Sequence, residues 1–209
     1  GIRQIPPSRY PTRLPETGLS FRWQQRCALP RRTVVNEAMS RLFVRFHDVT
    51  FAYPSAAEPL FSSLSLHLPC GWSGVVGANG AGKTTLLKLA TGQLTPDAGV
   101  VEAPPRAVYC PQRTDDAPGR LKELVDDQTK SAWNIREMLG VETDWPGRWE
   151  TLSHGERKRA QIAVALWLEP DVLAVDEPTN HLDADAREAV AAAMRSFDKV
   201  GLLVSHDRE

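Results

Sequence analysis

Apolar and polar residues follow two different periods along this chain, and each change of period marks a new element. "LFVRFHDVTF" (42–51) alternates roughly every second residue, as a half-buried strand does. "AYPSAAEP" is a turn-rich break, after which "LSLHL" alternates again with Leu64, Leu66 and Leu68 on one face. "SGVV" (73–76) is a short strand of the buried type that runs into a glycine-rich turn, and "KTTLLKLATG" predicts a helix closed by Gly92. "LTPDAG" is a turn, and "RAVYCPQ" is a strand that stops at a proline. Residues 119–140 read as helical, with Leu121, Leu124, Val125 and then Ile135, Met138, Leu139 at helical spacings. "GERKRAQIAVALWLE" is an amphipathic helix, "DVLAV" a buried strand, "ADAREAVAAAMRSF" an alanine-rich helix and "VGLLVS" another buried strand. Strands that alternate with helices predict an α/β sheet, here with a helical insert around 119–170 and no internal repeat.

Residues 1–40 break with this order. They hold five prolines, seven arginines, no lysine and two acids, and show neither period. That composition predicts a disordered Arg/Pro-rich arm, with order beginning near Met39 in "MSRLFVRF". An inert tail, or sequence upstream of the true start, is the plain reading; an Arg-rich tail can also bind RNA or anionic lipid. The arm carries a balance of +5, which leaves −6 for the rest of a chain whose net charge is −1, so the remainder is no obvious nucleic-acid surface. At 209 residues, with 42% hydrophobic and 24% charged residues, the chain has room for one domain with a real core plus an appendage. No run approaches the ~18 apolar residues of a membrane helix. Three scattered cysteines (Cys27, Cys70, Cys110) with no metal spacing predict a reducing cytoplasm.

The chemistry sits in three places. Gly77, Gly82, Lys83 and Thr84 meet the spacing G-x-x-x-x-G-K-[ST] between a strand and a helix. Glycines let successive amides point at a phosphate, the helix adds its positive end, Lys83 supplies a compact cation, and the Thr84 hydroxyl can ligand Mg²⁺. An apolar strand next ends in two adjacent carboxylates, Asp176 and Glu177. At the strand end the backbone bends, so both can face one site: Asp176 to hold Mg²⁺ through water, Glu177 to orient an attacking water. Finally, Ser153 and Glu156 in "TLSHGERKRAQ" fit a capping box, and a helix start with Ser153 and Gly155 is equally an anion site. Spacing leaves both roles open.

Together these residues resemble an ATP-binding cassette (ABC) ATPase, in order and type, from about Leu42 to Glu209. The resemblance implies an α/β, P-loop NTPase-type fold: a mostly parallel sheet, an antiparallel β region and a helical signature subdomain at about 115–168 within a cassette spanning 41–209. It implies that Tyr53 stacks on adenine. "GANGAGKTT" would be the phosphate loop, with Gly77, Asn79, Gly80, Gly82, Lys83, Thr84 and Thr85 against ATP. Thr84, Gln112 and Asp176 would hold Mg²⁺, and Glu177, His206 and Gln112 would serve hydrolysis. Ser153 and Gly155 of "LSHGE" would reach ATP on a second cassette packed head to tail, and Asp183 in "NHLD" would be the aspartate of the D-loop at the nucleotide site. One cassette cannot complete a site, and the chain stops three residues after His206, which predicts a cassette truncated at its C-terminus. His154 and Glu156 depart from the usual signature LSGGQ, and His154 adds bulk beside the partner's nucleotide.

"DEPTNHLD" followed by "SHDRE" resembles the ABC-F subfamily, which implies a cytoplasmic, translation-associated ATPase with the ribosome as partner. The alternative is the ATPase subunit of a transporter, driving a separate membrane permease. A nonhydrolytic interaction module is a third reading, and Glu177 argues against it.

Overall fold

The alternation of the first strand slips by one residue, and the slip shapes the first sheet. The computed structural model describes residues 42–180 and 182–205, together with the backbone of one strand, β1 (Leu19–Arg22). In β2 (Phe43–Phe51) the buried positions are Val44 and Phe46, then Val49 and Phe51. A bulge between Phe46 and Val49 absorbs the extra residue, with Asp48 at φ 47°. Ser65 fixes the bulge: the Asp48 amide donates to its Oγ at 3.0 Å, and that hydroxyl donates to Asp48 Oδ1 at 3.1 Å. β2 pairs antiparallel with β3 (Phe61–Pro69) on one side and with β5 (Ala98–Glu102) on the other. The expected strand around Leu64, Leu66 and Leu68 is β3, and all three are buried. β5 has no counterpart in the sequence reading, because four of its five residues are exposed and leave no apolar period.

The second sheet has the order β1-β4-β8-β7-β6. β4 (Gly71–Gly77), β8 (Val200–Val204), β7 (Val172–Asp176) and β6 (Ala107–Cys110) are parallel, and β1 pairs antiparallel with β4 at the edge. Four residues inside the segment expected to be an unstructured arm therefore form a strand; Leu19–Arg22 is too short for its alternation to stand out in the sequence. The remainder of 1–40 lies outside the described residues. All five residues of β7 are buried, as a central parallel strand covered on both faces requires.

Each face of this sheet carries its own core. One joins Val172, Ala174 and Leu202 to the antiparallel sheet through Phe46 and Phe61, and to helix α1 (Lys83–Ala90) through Leu86, Leu87 and Leu89. The other joins Leu173 and Val175 to the helical region through Leu124, Leu139, Trp145 and Ile162. α1 closes as expected at Gly92, at φ 71°: the Gly92 amide donates to Leu89 O and the Gln93 amide to Lys88 O. The stretch 119–140 is two helices rather than one, α2 (Leu121–Asp126) and α3 (Lys130–Leu139). The Asp127 side chain accepts the Thr129 amide at 2.8 Å and Thr129 caps α3, so local side-chain bonds outcompete a continuous helix. α4 (His154–Trp167) follows two short 3-10 turns that bury Trp145 and Trp149, and α5 (Ala184–Arg195) lies between β7 and β8.

Gly201 of β8 is the register partner of Trp72 on β4, and a Cβ there would collide with the indole. Trp72 cannot retreat freely, since its Nε1 donates to Met194 O at 3.0 Å. Gly201→Ala is expected to destabilise the domain by about 1–3 kcal/mol through overpacking. A fall in the urea midpoint with an unchanged slope checks this.

Candidate nucleotide site

β4 delivers the glycine turn and α1 carries it away. Gly80 and Gly82 take left-handed backbone at φ 81° and 91°, which only glycine adopts without strain. Gly82 is further restricted: a Cβ would lie 2.7 Å from Phe61 Cζ, so the loop rests directly on the antiparallel sheet. Gly82 is also the N-cap of α1 with no side-chain cap, and the first turn holds no acid. The opening amides of the helix therefore point out of the loop with the positive end of the dipole behind them. Lys83, almost fully buried, folds back over its own loop and donates to the carbonyls of Gly77 at 2.8 Å and Ala78 at 2.9 Å. Uncapped amides, left-handed glycines and a fixed ammonium fit a polyphosphate.

Tyr53 lies just past β2, 41% exposed, edge-on to Phe51 with ring centroids 5.1 Å apart. Its hydroxyl shares a 3.0 Å hydrogen bond with Thr85 Oγ1, which brings an aromatic surface to the first turn of α1. An exposed ring anchored beside a phosphate loop suits stacking on a base.

β7 ends in the two carboxylates. Asp176 Oδ2 accepts from Thr84 Oγ1 at 2.6 Å and from the Tyr109 hydroxyl at 3.1 Å. Burial first, and then the Asp176 carboxylate, push the Tyr109 hydroxyl well above its ordinary value, so it stays protonated and donates. Glu177 sits at φ 48°, and its Oε2 accepts from Gln112 Nε2 at 2.9 Å and Asn180 Nδ2 at 2.7 Å. The structure thus joins Thr84 to Asp176, and Gln112 to Glu177. A hydroxyl and a carboxylate oxygen in contact fit Mg²⁺, which takes few protein oxygens and shares substrate phosphates. Gln112, expected beside the metal, bonds to Glu177. No group of three His, Cys, Asp or Glu among the described residues could hold a metal. Tyr109 and Asn180 were missed in the sequence. Tyr109 reads there as an ordinary apolar strand residue, whereas Asn180 lies inside "DEPTNHLD", three residues beyond the carboxylate it bonds.

The third group stays apart. Ser153 forms both halves of the expected capping box: its Oγ accepts the Glu156 amide at 3.2 Å, and its own amide donates to Glu156 Oε2 at 2.7 Å. The Ser153 bonds hold the Glu156 carboxyl below the usual carboxylate range. His154 Nδ1 meets Thr114 Oγ1 at 3.1 Å, tying the signature to the segment after Gln112. Gly155 faces Leu182, and Asp183 caps α5 by accepting the Ala186 amide at 2.7 Å. These hydrogen bonds of Ser153 and Asp183 remain within their own helix caps. His206 lies outside the described residues.

A strand–glycine loop–helix, a carboxylate pair at the end of the parallel strand β7 and a separate capped helix define a P-loop nucleotide-binding domain with a helical subdomain. A family profile described as ABC transporter matches residues 61–180. The chain belongs to that family, and it is an ABC ATPase domain. "Probable ATP-binding protein YheS" of Haemophilus influenzae is 34% identical over 73% of this chain and 26% of its own length. The ribosome protection protein VmlR of Bacillus subtilis is 33% identical over 79% of this chain and 32% of its own length. The chain thus spans about a quarter to a third of these curated relatives. Among solved structures, a bacterial Atm1-family ABC exporter with ATP bound shares the fold, with a TM-score of 0.63 at 20% identity over 80% of this chain and 35% of the exporter chain. No helix among the described residues is long and apolar enough to cross a membrane.

Lys83→Ala should weaken ATP binding roughly 10- to 100-fold or more, because charge-assisted bonds to phosphate are lost. Calorimetry reads this directly, and an unchanged affinity refutes the cradle.

Proposed function

We propose that this chain is one cassette of an ABC-F type, cytoplasmic, translation-associated ATPase that closes head to tail on a second cassette when ATP binds. Tyr53 stacks on the base, and the loop from Gly77 through Asn79, Gly80 and Gly82 to Thr85 wraps the phosphates around Lys83. Thr84 and Asp176, with Gln112 nearby, hold Mg²⁺, which supplies charge neutralisation on the phosphates when bound. Glu177 orients the attacking water and takes its proton, Gln112 holds that carboxylate, and His206 faces the γ-phosphate. Ser153 and Gly155 act on the nucleotide of the opposite cassette, and Asp183 belongs to the D-loop at the nucleotide site. Closure on ATP and release on hydrolysis make a switch. Residues 41–209 form the cassette in this reading, with 115–168 as its helical subdomain and 1–40 as an appended arm.

The observation that carries the ABC-F assignment is the run "DEPTNHLD" to "SHDRE", supported by the similarity to VmlR and YheS at 33% and 34% identity. The alternative, the ATPase subunit of a transporter with a separate membrane permease, is favoured by the description of the matching family and by the likeness to an exporter.

Glu177→Gln should keep ATP binding and lose turnover, trapping the closed pair, since the water-orienting carboxylate is gone. With ATP this variant should co-sediment with ribosomes through a sucrose cushion. Binding to inner-membrane vesicles in place of ribosomes overturns the ABC-F assignment, and full turnover by the variant overturns the role of Glu177.

A further inference from the structure

Lys158 carries its charge in the interior. It lies one and a half turns into α4 and is only 1% exposed. Its Nζ donates to three oxygens: the carbonyl of Pro111 at 2.6 Å, the carbonyl of Asp176 at 3.2 Å and Oε1 of Gln161 at 3.3 Å. All three acceptors are neutral, and Lys158 is absent from the ion pairs formed among the described residues. Burying an ammonium without a direct counterion is strongly unfavourable unless its donors are satisfied. Burial accordingly lowers its proton affinity, with the charges of Asp176 and Glu177 among those opposing that effect.

The acceptors explain the placement. The Pro111 carbonyl belongs to the peptide that leads into Gln112, and the Asp176 carbonyl to the peptide that leads into Glu177. These two side chains meet at 2.9 Å. The Asp176–Glu177 peptide is also held at its other edge, where the Glu177 amide donates to Val204 O at 3.0 Å. That peptide precedes a residue at φ 48°, a conformation that persists only where its surroundings enforce it.

We propose that Lys158 is a positioning residue for hydrolysis: its ammonium ties together the two peptides that aim Gln112 and Glu177, and its charge offsets the adjacent Asp176 and Glu177 carboxylates. This rests on the reading of Glu177 as the group that orients water. None of the Lys158 bonds reaches the phosphate loop at 77–85, so its loss separates turnover from nucleotide binding.

The test uses the full chain with Lys158→Met, Lys158→Gln and Glu177→Gln, measuring turnover, affinity for a nonhydrolysable ATP analogue, and thermal unfolding. Lys158→Met should lower kcat roughly 10- to 100-fold while analogue affinity stays within about threefold, the loss expected from charge-assisted bonds made to the machinery and not to the nucleotide. Lys158→Gln should recover part of the lost kcat, because an amide can still donate to a carbonyl. A Lys158→Met kcat within about twofold of the parent overturns the proposal. So does a parallel loss of affinity, a Gln variant no better than Met, or the failure of both to fold, which would make Lys158 a fold residue. Glu177→Gln turning over like the parent sinks the underlying reading instead, whatever the Lys158 variants do.

Discussion

The peptide that joins Asp176 to Glu177 is held at both edges, and the site is organised around it. Its amide donates into β8 through Val204 O, and its carbonyl accepts the buried ammonium of Lys158 from α4. Glu177 then takes a left-handed turn that costs on the order of 1–3 kcal/mol for a residue with a side chain. The turn makes neighbouring carboxylates serve different partners. Asp176 continues the strand and meets Thr84 and Tyr109, whereas Glu177 swings to Gln112 and Asn180. An ordinary extended residue at 177 would point its carboxylate to the opposite face of the sheet.

The antiparallel sheet holds the other half of the site in register. Phe61 lies beneath Gly82, and Tyr53, just beyond β2, bonds to Thr85. The glycine loop is thus supported from below by one sheet while its strand and helix belong to the other layer. The bulge at Asp48 matters here, because it restores Val49 and Phe51 to the core and so places Tyr53 at the end of the strand.

Much of this was legible in the sequence, for identifiable reasons. β7 and β8 announce themselves as uninterrupted apolar runs because both their faces are covered. The loop was legible because its chemistry allows few residue types, and the capping box because Ser153 and Glu156 are local partners. What could not be read depends on contacts distant in sequence or on weak patterns. β5 is exposed and shows no alternation, and Leu19–Arg22 finds its pairing only against β4. The break at Asp127–Thr129 lies inside an otherwise helical spacing. Lys158 looks like a solvated member of "ERKR", and only the fold turns it inward while Arg157 and Arg159 lie against Trp149 and Trp145.

α4 joins the capping box at Ser153 to the peptide before Glu177. Its cap at Ser153 is the end that the proposed function would set against a second cassette, and Lys158 follows five residues later, roughly 7.5 Å along the axis at the rise of an α-helix. Helical hydrogen bonds fill that interval, and it contains neither glycine hinge nor proline beyond Gly155 near the start. Over such a distance a helix behaves as a stiff rod. A displacement applied along the axis at the cap would carry the base of the Lys158 side chain with it, and the Lys158 ammonium meets the carbonyls before Gln112 and Glu177. In the proposed cycle, touching a neighbour at Ser153 and setting the Glu177 carboxylate would be, mechanically, the same stroke.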